Sequence, residues 1–262
     1  MSKLQCTDEV CRTSAPQLRR PSMQTTIPIA DRDALRALQG FLKSLLEKGA
    51  VEAIMVPMRE RSGAVMPALV SRPEHLDSAD PLAPVMSMNG ARQVSALSIR
   101  EPRGRIGVVL RSCEIRALIE LVKLQQASLD DLLIIGIECG GTYSLTDYVE
   151  MMKADPAAEP WREICADPLT DRPLRDACQM CEHPLLPNAA ITIHLLGTDL
   201  VDTVPITVPD ELGERLGLVP SAPIQRGDVV EKLIAKRTAT RDDFVERYNA
   251  RNLETLKEIF NA

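Results

Sequence analysis

The sequence predicts an α/β protein: a mixed sheet with a parallel βαβ core, a long cysteine-bearing loop and C-terminal helices. Two apolar runs, at 105–113 and 132–139, have the length of buried strands and are separated by a helical pattern. Parallel strands need a crossover of that length, so the three segments predict a βαβ unit. Amphipathic patterns in residues 226–262 predict a pair of helices at the end of the chain.

The N-terminal part of the chain is predicted to be an arm without regular structure. Residues 1–26 contain scattered prolines, serines and threonines and show no apolar period. Cys6 and Cys11 lie in this arm, and their spacing matches no common ligand pattern, so we expect them to be solvent-exposed. We therefore divide the chain into a flexible arm (1–26), one α/β domain (27–225) and a C-terminal helical segment (226–262).

A small unit of one helix and two strands precedes the βαβ core. From Asp31 onward leucines recur on one face of a helical period, and the pattern stops at Gly49. Two apolar runs, at 51–58 and 65–72, flank a turn-forming segment and predict a hairpin. After them, turn-forming residues lead through Ser87, Asn89 and Gly90 into a short helix. Such a loop can offer backbone N–H groups to a phosphate, although an ordinary capped helix start has the same pattern.

Two cysteines follow the predicted parallel strands. The strands are expected to end at Cys113 and Cys139, and in open α/β sheets ligands bind outside the carboxyl ends of the strands. A long Pro-rich loop then carries Cys165 and the pair Cys178 and Cys181. Loops of that length inside a compact domain are usually functional or held by a ligand.

The Cys178-x-x-Cys181 motif allows three kinds of chemistry: a structural zinc, an iron–sulfur cluster or a redox dithiol. A cluster is favoured because Cys113 and Cys139 complete a set of four thiolates, and because Cys113 precedes a helix whose N-terminus stabilises an anion. A structural zinc usually uses two such knuckles, and a thioredoxin-type motif should open a helix. Cys165 is a rival fourth ligand, and His183 is expected to lie beside the metal.

Composition excludes several function classes. A formal charge of −6 and a pI near 5.3 are unlike a nucleic-acid-binding surface. No run of 18 apolar residues predicts a membrane span, and the polar N-terminal sequence lacks a secretory signal, so we expect a cytoplasmic protein with reduced thiols. The sequence also lacks the motifs GxSxG, HExxH and the phosphate-binding loop that would indicate a hydrolase.

The segments GVVLRSCEIRALIELVKLQQ, IIGIECGGT and CxxCxxP followed by AAITIHLLG resemble the beta subunits of coenzyme F420 hydrogenases and dehydrogenases, which include formate dehydrogenase beta subunits. The resemblance covers about residues 35–200. It implies an oxidoreductase subunit with FAD and one [4Fe–4S] cluster held by Cys113, Cys139, Cys178 and Cys181. FAD would exchange a hydride with a deazaflavin or nicotinamide carrier, and electrons would leave singly through the cluster to a partner subunit with further clusters.

The resemblance leaves the flavin contacts to be placed on this chain. Candidates are Ser87, Asn89, Gly90 and Arg111, the last as a cation that could stabilise a reduced anionic flavin. A surface arginine at a strand end is the alternative for Arg111. Two other functions remain open: a zinc-stapled scaffold subunit without redox activity, and a dithiol reductase that uses Cys178 and Cys181.

Overall fold

The computed structural model describes residues 22–60, 62–99, 104–186 and 189–261, and these contain one seven-stranded mixed sheet. The strands are β1 (Ser22–Pro28), β2 (Ala53–Arg59), β3 (Val65–Val70), β4 (Ile106–Arg111), β5 (Leu132–Ile137), β6 (Ile191–Ile193) and β7 (Thr203–Pro209). Their order across the sheet is β1-β7-β6-β5-β4-β2-β3. The four central strands β2, β4, β5 and β6 are parallel, and antiparallel partners close both edges. The predicted fold class is confirmed.

Helices cover both faces of this sheet. They are α1 (Ala34–Glu47), a 3₁₀ helix (Pro73–Ser78), α2 (Gly90–Ser98), α3 (Ser112–Lys123), α4 (Leu145–Ala154), α5 (Pro160–Ala166), α6 (Asp176–Gln179), α7 (Asp210–Leu216) and α8 (Val229–Asn261). One apolar core lies between α1 and the sheet, and a second lies between the sheet and the pair α2 and α3. Within the described ranges, no helix is long and apolar enough to cross a membrane.

Local sequence explains most of these elements. Asp33 caps α1 by accepting a hydrogen bond from the Arg36 N–H at 2.8 Å, as the predicted start near Asp31 requires. The helix ends before Gly49, whose φ of +64° suits a glycine. Every residue of β4 and β5 is buried, which is why both strands appear in the sequence as continuous apolar runs.

Three boundaries differ from the predictions. The predicted arm 1–26 extends too far, because β1 begins at Ser22 and pairs antiparallel with β7; its polar composition hid a strand that needs only one buried face. Residues 1–21, with Cys6 and Cys11, lie outside the described residues. Strand β4 ends at Arg111 rather than Cys113, and β5 ends at Ile137 rather than Cys139.

The prediction of a C-terminal helical pair is also wrong, because α8 is a single helix of 33 residues. The polar segment between the two apolar patterns suggested a break between two helices. It contains neither Pro nor Gly, however, and the remaining residue types cost a helix less than about 1 kcal/mol each. The segment also receives tertiary support, because its side chains contact the cysteine-bearing loop.

Candidate functional site

A cavity of about 210 Å³ lies at the carboxyl ends of β4 and β5. All four cysteines proposed as metal ligands line it: Cys113, Cys139, Cys178 and Cys181. They come from three places in the sequence, and the parallel strands bring two of them to the same sheet edge. The fold therefore gathers the predicted set of thiols around a single space.

The strand-end cysteines are placed by short, well-bonded segments. Cys113 is the second residue of α3, which starts directly after β4. Cys139 follows β5 by two residues, and its N–H donates to the Pro184 carbonyl at 3.2 Å. That hydrogen bond ties the strand end to the loop that follows Cys181, so the two cysteine-bearing segments lie side by side.

The CxxC pair lies on and after the short helix α6. The Cys178 N–H donates to the Arg175 carbonyl at 2.7 Å, and the Cys181 N–H donates to the Cys178 carbonyl at 3.3 Å. Thr142 joins this turn to the segment after Cys139: its carbonyl accepts from the Arg175 N–H at 2.9 Å, and its Oγ1 lies 3.2 Å from Cys178 Sγ. The two cysteine-bearing segments are therefore connected by both backbone and side-chain contacts.

The Gly140-Gly141 turn allows this close approach. Gly141 has a φ of +123°, and a Cβ atom there would lie 2.6 Å from Leu174 Cδ1. A Cβ on Gly140 would lie 2.3 Å from Ile164 Cγ2. Neither position has room for a side chain, which explains the glycine pair that follows Cys139 in the sequence.

Three arginines surround the thiols: Arg111, Arg175 and Arg237, with His183 as a further basic group lining the cavity. Arg111 is 6% exposed, donates from Nη2 to the Ala83 carbonyl at 2.6 Å and lies 3.8 Å from the Glu114 carboxylate. Arg237 reaches the cavity from α8. The positive charges of these arginines would stabilise anionic thiolates in the cavity.

Sequence reasoning did not find Thr142, Arg175 or Arg237. A signal for Arg237 was present, because it follows the buried Val230 by seven residues and the buried Leu233 by four, which places it on the same helix face. An arginine on a buried stripe indicates a buried polar partner. Thr142 and Arg175 carried no comparable local signal, since their roles depend on contacts with distant segments.

Burial raises the pKa of two of the thiols. Desolvation, with the nearby Cys139 and Glu114, raises the pKa of Cys113 to about 12 although solvent reaches part of its side chain. Desolvation also raises the pKa of Cys139, partly opposed by the positive charge of Arg111. Binding of a metal centre here would displace these protons.

The cysteines do not form a compact site for one ion. Among the described residues, no three His, Cys, Asp or Glu side chains are close enough together to hold a single metal ion. A structural zinc needs four ligands at about 2.0–2.3 Å from one ion. An iron–sulfur cluster also takes four thiolates and places its inorganic core between them, so the four thiols that line the cavity match its ligand number.

Cys165 lies in a different place. It lines a smaller neighbouring cavity with Trp161 and Ile164, and it is absent from the lining of the four-cysteine cavity. Desolvation raises the pKa of the Cys165 thiol to about 12. Cys139 lines both cavities, so Cys165 lies near Cys139 but outside the cavity that the four proposed ligands share.

The predicted flavin-contact loop is bonded within the chain. Ser87 Oγ donates to the Val65 carbonyl at 2.7 Å, and the Asn89 side chain caps α2 by accepting from the Ala91 N–H at 2.9 Å. The Gly90 N–H donates to Glu114 Oε1 at 2.8 Å. Of the two readings of this loop, the structure therefore has the ordinary capped helix start. The Gly90 N–H that could have bound a phosphate is bonded to the Glu114 carboxylate. Only Asn89 and Arg111 of the four predicted contacts line the cavity.

A buried charged cluster lies next to Cys139. Glu138 accepts hydrogen bonds from the Leu195 and Leu196 N–H groups at 2.9 and 3.1 Å, and from Arg226 at 2.8 Å. His194 Nδ1 lies 2.9 Å from the same carboxylate. Burial alone would raise the pKa of Glu138, but the hydrogen bond with His194 and the charge of Arg226 hold it below its usual range. These hydrogen bonds to Glu138 hold the backbone next to Cys139 in place.

Comparison with known proteins supports the resemblance seen in the sequence. No protein-family model matches the chain. The beta subunit of F420-dependent formate dehydrogenase 1 from Methanococcus maripaludis is 29% identical over 119 residues, which are 45% of this chain and 30% of that protein. The chain thus matches less than a third of the length of this curated relative.

A solved structure extends the comparison. A chain from the xenon-derivatized F420-reducing [NiFe] hydrogenase complex of Methanosarcina barkeri superposes with a TM-score of 0.59, covering 88% of this chain and 94% of that chain. At 13% identity, this match establishes a shared fold. The predicted resemblance to beta subunits of F420-dependent oxidoreductases is confirmed by the two comparisons together.

Proposed function

We propose that this chain is the electron-transfer subunit of a multi-subunit oxidoreductase related to F420-dependent formate dehydrogenases and hydrogenases. It would hold one [4Fe–4S] cluster and FAD, and it would connect a deazaflavin or nicotinamide hydride carrier to a catalytic or iron–sulfur partner subunit. The observation that carries the proposal is the convergence of Cys113, Cys139, Cys178 and Cys181 on one cavity. The oxidoreductase class follows from the two similar proteins, a formate dehydrogenase subunit and a hydrogenase complex.

A bound cluster would supply one-electron storage between a hydride carrier and the partner subunit. The chain's own residues would hold it. Cys113 and Cys139 would anchor it to the rigid ends of β4 and β5, and the CxxC turn would close over it from the loop. Thr142 Oγ1, 3.2 Å from Cys178 Sγ, can donate a hydrogen bond to a thiolate, which favours the reduced, more negative state.

The positive charge around the cavity supports an anionic occupant. Four thiolates bring four negative charges, and Arg111, Arg175 and Arg237 line the same space. Zinc held by four thiolates is also anionic, so the arginines favour a thiolate-ligated metal centre of either kind. Among the described residues, no compact group of three ligating side chains favours a single zinc ion.

FAD is part of the proposal because the resemblance to F420-dependent beta subunits implies it. The loop at Ser87, Asn89 and Gly90 uses its hydrogen-bonding groups internally, so it offers no open phosphate cradle. Extraction and chromatography of flavin from the purified protein tests this part separately. A protein with iron and without flavin would reduce the proposed role to a one-electron relay.

Iron analysis of anaerobically purified protein tests the cluster. We expect iron and sulfide in the ratio of one [4Fe–4S] cluster per chain, and an absorption shoulder that dithionite bleaches. Single replacements by serine at Cys113, Cys139, Cys178 and Cys181 should each lower the iron content. Cys165→Ala is the matched control and should keep it, because Cys165 lies in the neighbouring cavity.

Three results would contradict the proposal. Wild-type protein that contains zinc and no iron would support the scaffold function. Wild-type protein that contains no metal and loses a thiol-reductase activity on Cys178→Ser would support the dithiol function. Loss of iron on Cys165→Ala, with retention on Cys113→Ser, would show that the ligand set is wrong.

A further inference from the structure

The C-terminal helix α8 contacts both cysteine-bearing segments through one buried side chain. Arg237 is 5% exposed. Its Nη2 donates to the carbonyl of Gly140, which follows Cys139, and its Nη1 donates to the Cys181 carbonyl at 3.5 Å. The planar guanidinium can serve two carbonyls at once because its donors are fixed in a fork. One residue of α8 therefore bridges two ligand segments that are about 40 residues apart in the sequence.

Two further residues of α8 contact the residue that follows the CxxC motif. Thr238 Oγ1 donates to Glu182 Oε1 at 2.9 Å, and Arg241 forms an ion pair with the other oxygen of that carboxylate. Glu182 follows Cys181 directly. The helix thus holds the end of the CxxC turn from two sides.

The charge of Arg237 is not matched by a neighbouring acid. In the part of the chain that the structure describes, its hydrogen-bond partners are carbonyl oxygens and no carboxylate forms an ion pair with it. A buried cation without a counter-charge is costly to fold. The thiols of the cavity are the groups that could supply the negative charge, once they hold a cluster as thiolates.

We propose that Arg237 is a positioning residue of the cluster site. It holds the Gly140 and Cys181 segments together beside the cavity, and its guanidinium would offset the negative charge of a thiolate-ligated cluster. This inference rests on the proposed function. It assigns to α8, which lies outside the cysteine-bearing part of the chain, a direct part in cofactor retention.

The experiment compares Arg237→Gln, Arg237→Lys and the control Lys236→Gln. Lys236 is the neighbouring residue of α8 and pairs with the exposed Asp171, so its replacement removes the same charge without touching the cavity. Amide hydrogen exchange is measured on metal-free protein for residues 139–142 and 178–182. Iron retention against a chelator and the midpoint potential are then measured on protein reconstituted anaerobically.

Arg237→Gln should speed exchange in both segments, raise the rate of iron loss about 10-fold and shift the midpoint potential to a more negative value. Arg237→Lys should restore the potential toward wild type, because it keeps the charge. It should leave exchange fast, because an ammonium lacks the fork. Lys236→Gln should match wild type in all three measurements.

The outcomes separate the two proposals. Iron absent from wild type would overturn the proposed function, and the charge role of Arg237 with it. Iron present in wild type, with Arg237→Gln unchanged in exchange, iron loss and potential, would overturn the inference alone. If circular dichroism shows that Arg237→Gln fails to fold, Arg237→Lys tests the inference instead. Amide exchange equal to that of wild type in Arg237→Lys would overturn the role of Arg237 in holding the two segments.

Discussion

Replacing Glu138 by Gln should destabilise the metal-free protein by about 3 kcal/mol, because one carboxylate oxygen becomes an amide N–H₂ that faces hydrogen-bond donors. Glu138 is buried and accepts from Leu195, Leu196 and Arg226, with His194 2.9 Å away. Hydrogen bonds to charged groups contribute about 1.5–3 kcal/mol each, and the amide retains one of the two acceptor oxygens. The expected loss corresponds to roughly two such bonds.

Urea unfolding followed by circular dichroism measures the loss. The midpoint should fall while the slope m stays unchanged, since the surface exposed on unfolding is the same. Glu150→Gln is the matched control, because it makes the same chemical change at an exposed position of α4 and should stay within about 0.5 kcal/mol of wild type. A loss for Glu138→Gln no larger than that of the control would refute the assignment of Glu138 as the anchor of the Cys139 segment.

Three further predictions concern the glycine turn, a buried tyrosine and the metal. Gly141→Ala should cost at least about 2 kcal/mol in urea unfolding, because it adds a clash with Leu174 to an unfavourable φ; Gly63→Ala, which has a positive φ and open space, should cost less. Burial, with the nearby Asp80, raises the pKa of Tyr148 to about 12, above the value near 10 of an unfolded tyrosine. The unfolded state therefore releases its proton first, and stability should fall as pH rises from about 10 to about 12, less so in Tyr148→Phe. Removal of iron by a chelator should lower the melting temperature, because a bound centre stabilises only the folded state.

Each of these has an outcome that would contradict it. Equal losses for Gly141→Ala and Gly63→Ala would show that the clash with Leu174 is relieved by local movement. Identical stability of wild type and Tyr148→Phe across the alkaline range would remove Tyr148 from that transition. A melting temperature that does not change when iron is removed would mean that the iron is not held by the folded cysteine site.

The sequence by itself determined the β4–α3–β5 unit and the positions of Cys113 and Cys139 near its strand ends. Continuous apolar runs of strand length, separated by a helical period, are local signals, and the rule that ligands bind at the carboxyl ends of parallel strands placed the site. The spacing of Cys178 and Cys181 is also local, and without the help of a fold it indicated a metal centre or a redox dithiol.

Only the tertiary structure shows which cysteines line the four-cysteine cavity and which other residues complete it. Cys165 and Cys178 belong to the same Pro-rich segment of the sequence, yet the packing of α5 places Cys165 in the smaller cavity, where Cys139 is the one proposed ligand among the lining residues. Thr142, Arg175 and Arg237 reach the thiols through contacts between segments far apart along the chain. Apolar periodicity indicates which face of an element is buried, whereas the partner of that face depends on how distant elements pack. The sequence therefore predicted the sheet edge at which four cysteines meet, and the structure defined what surrounds them.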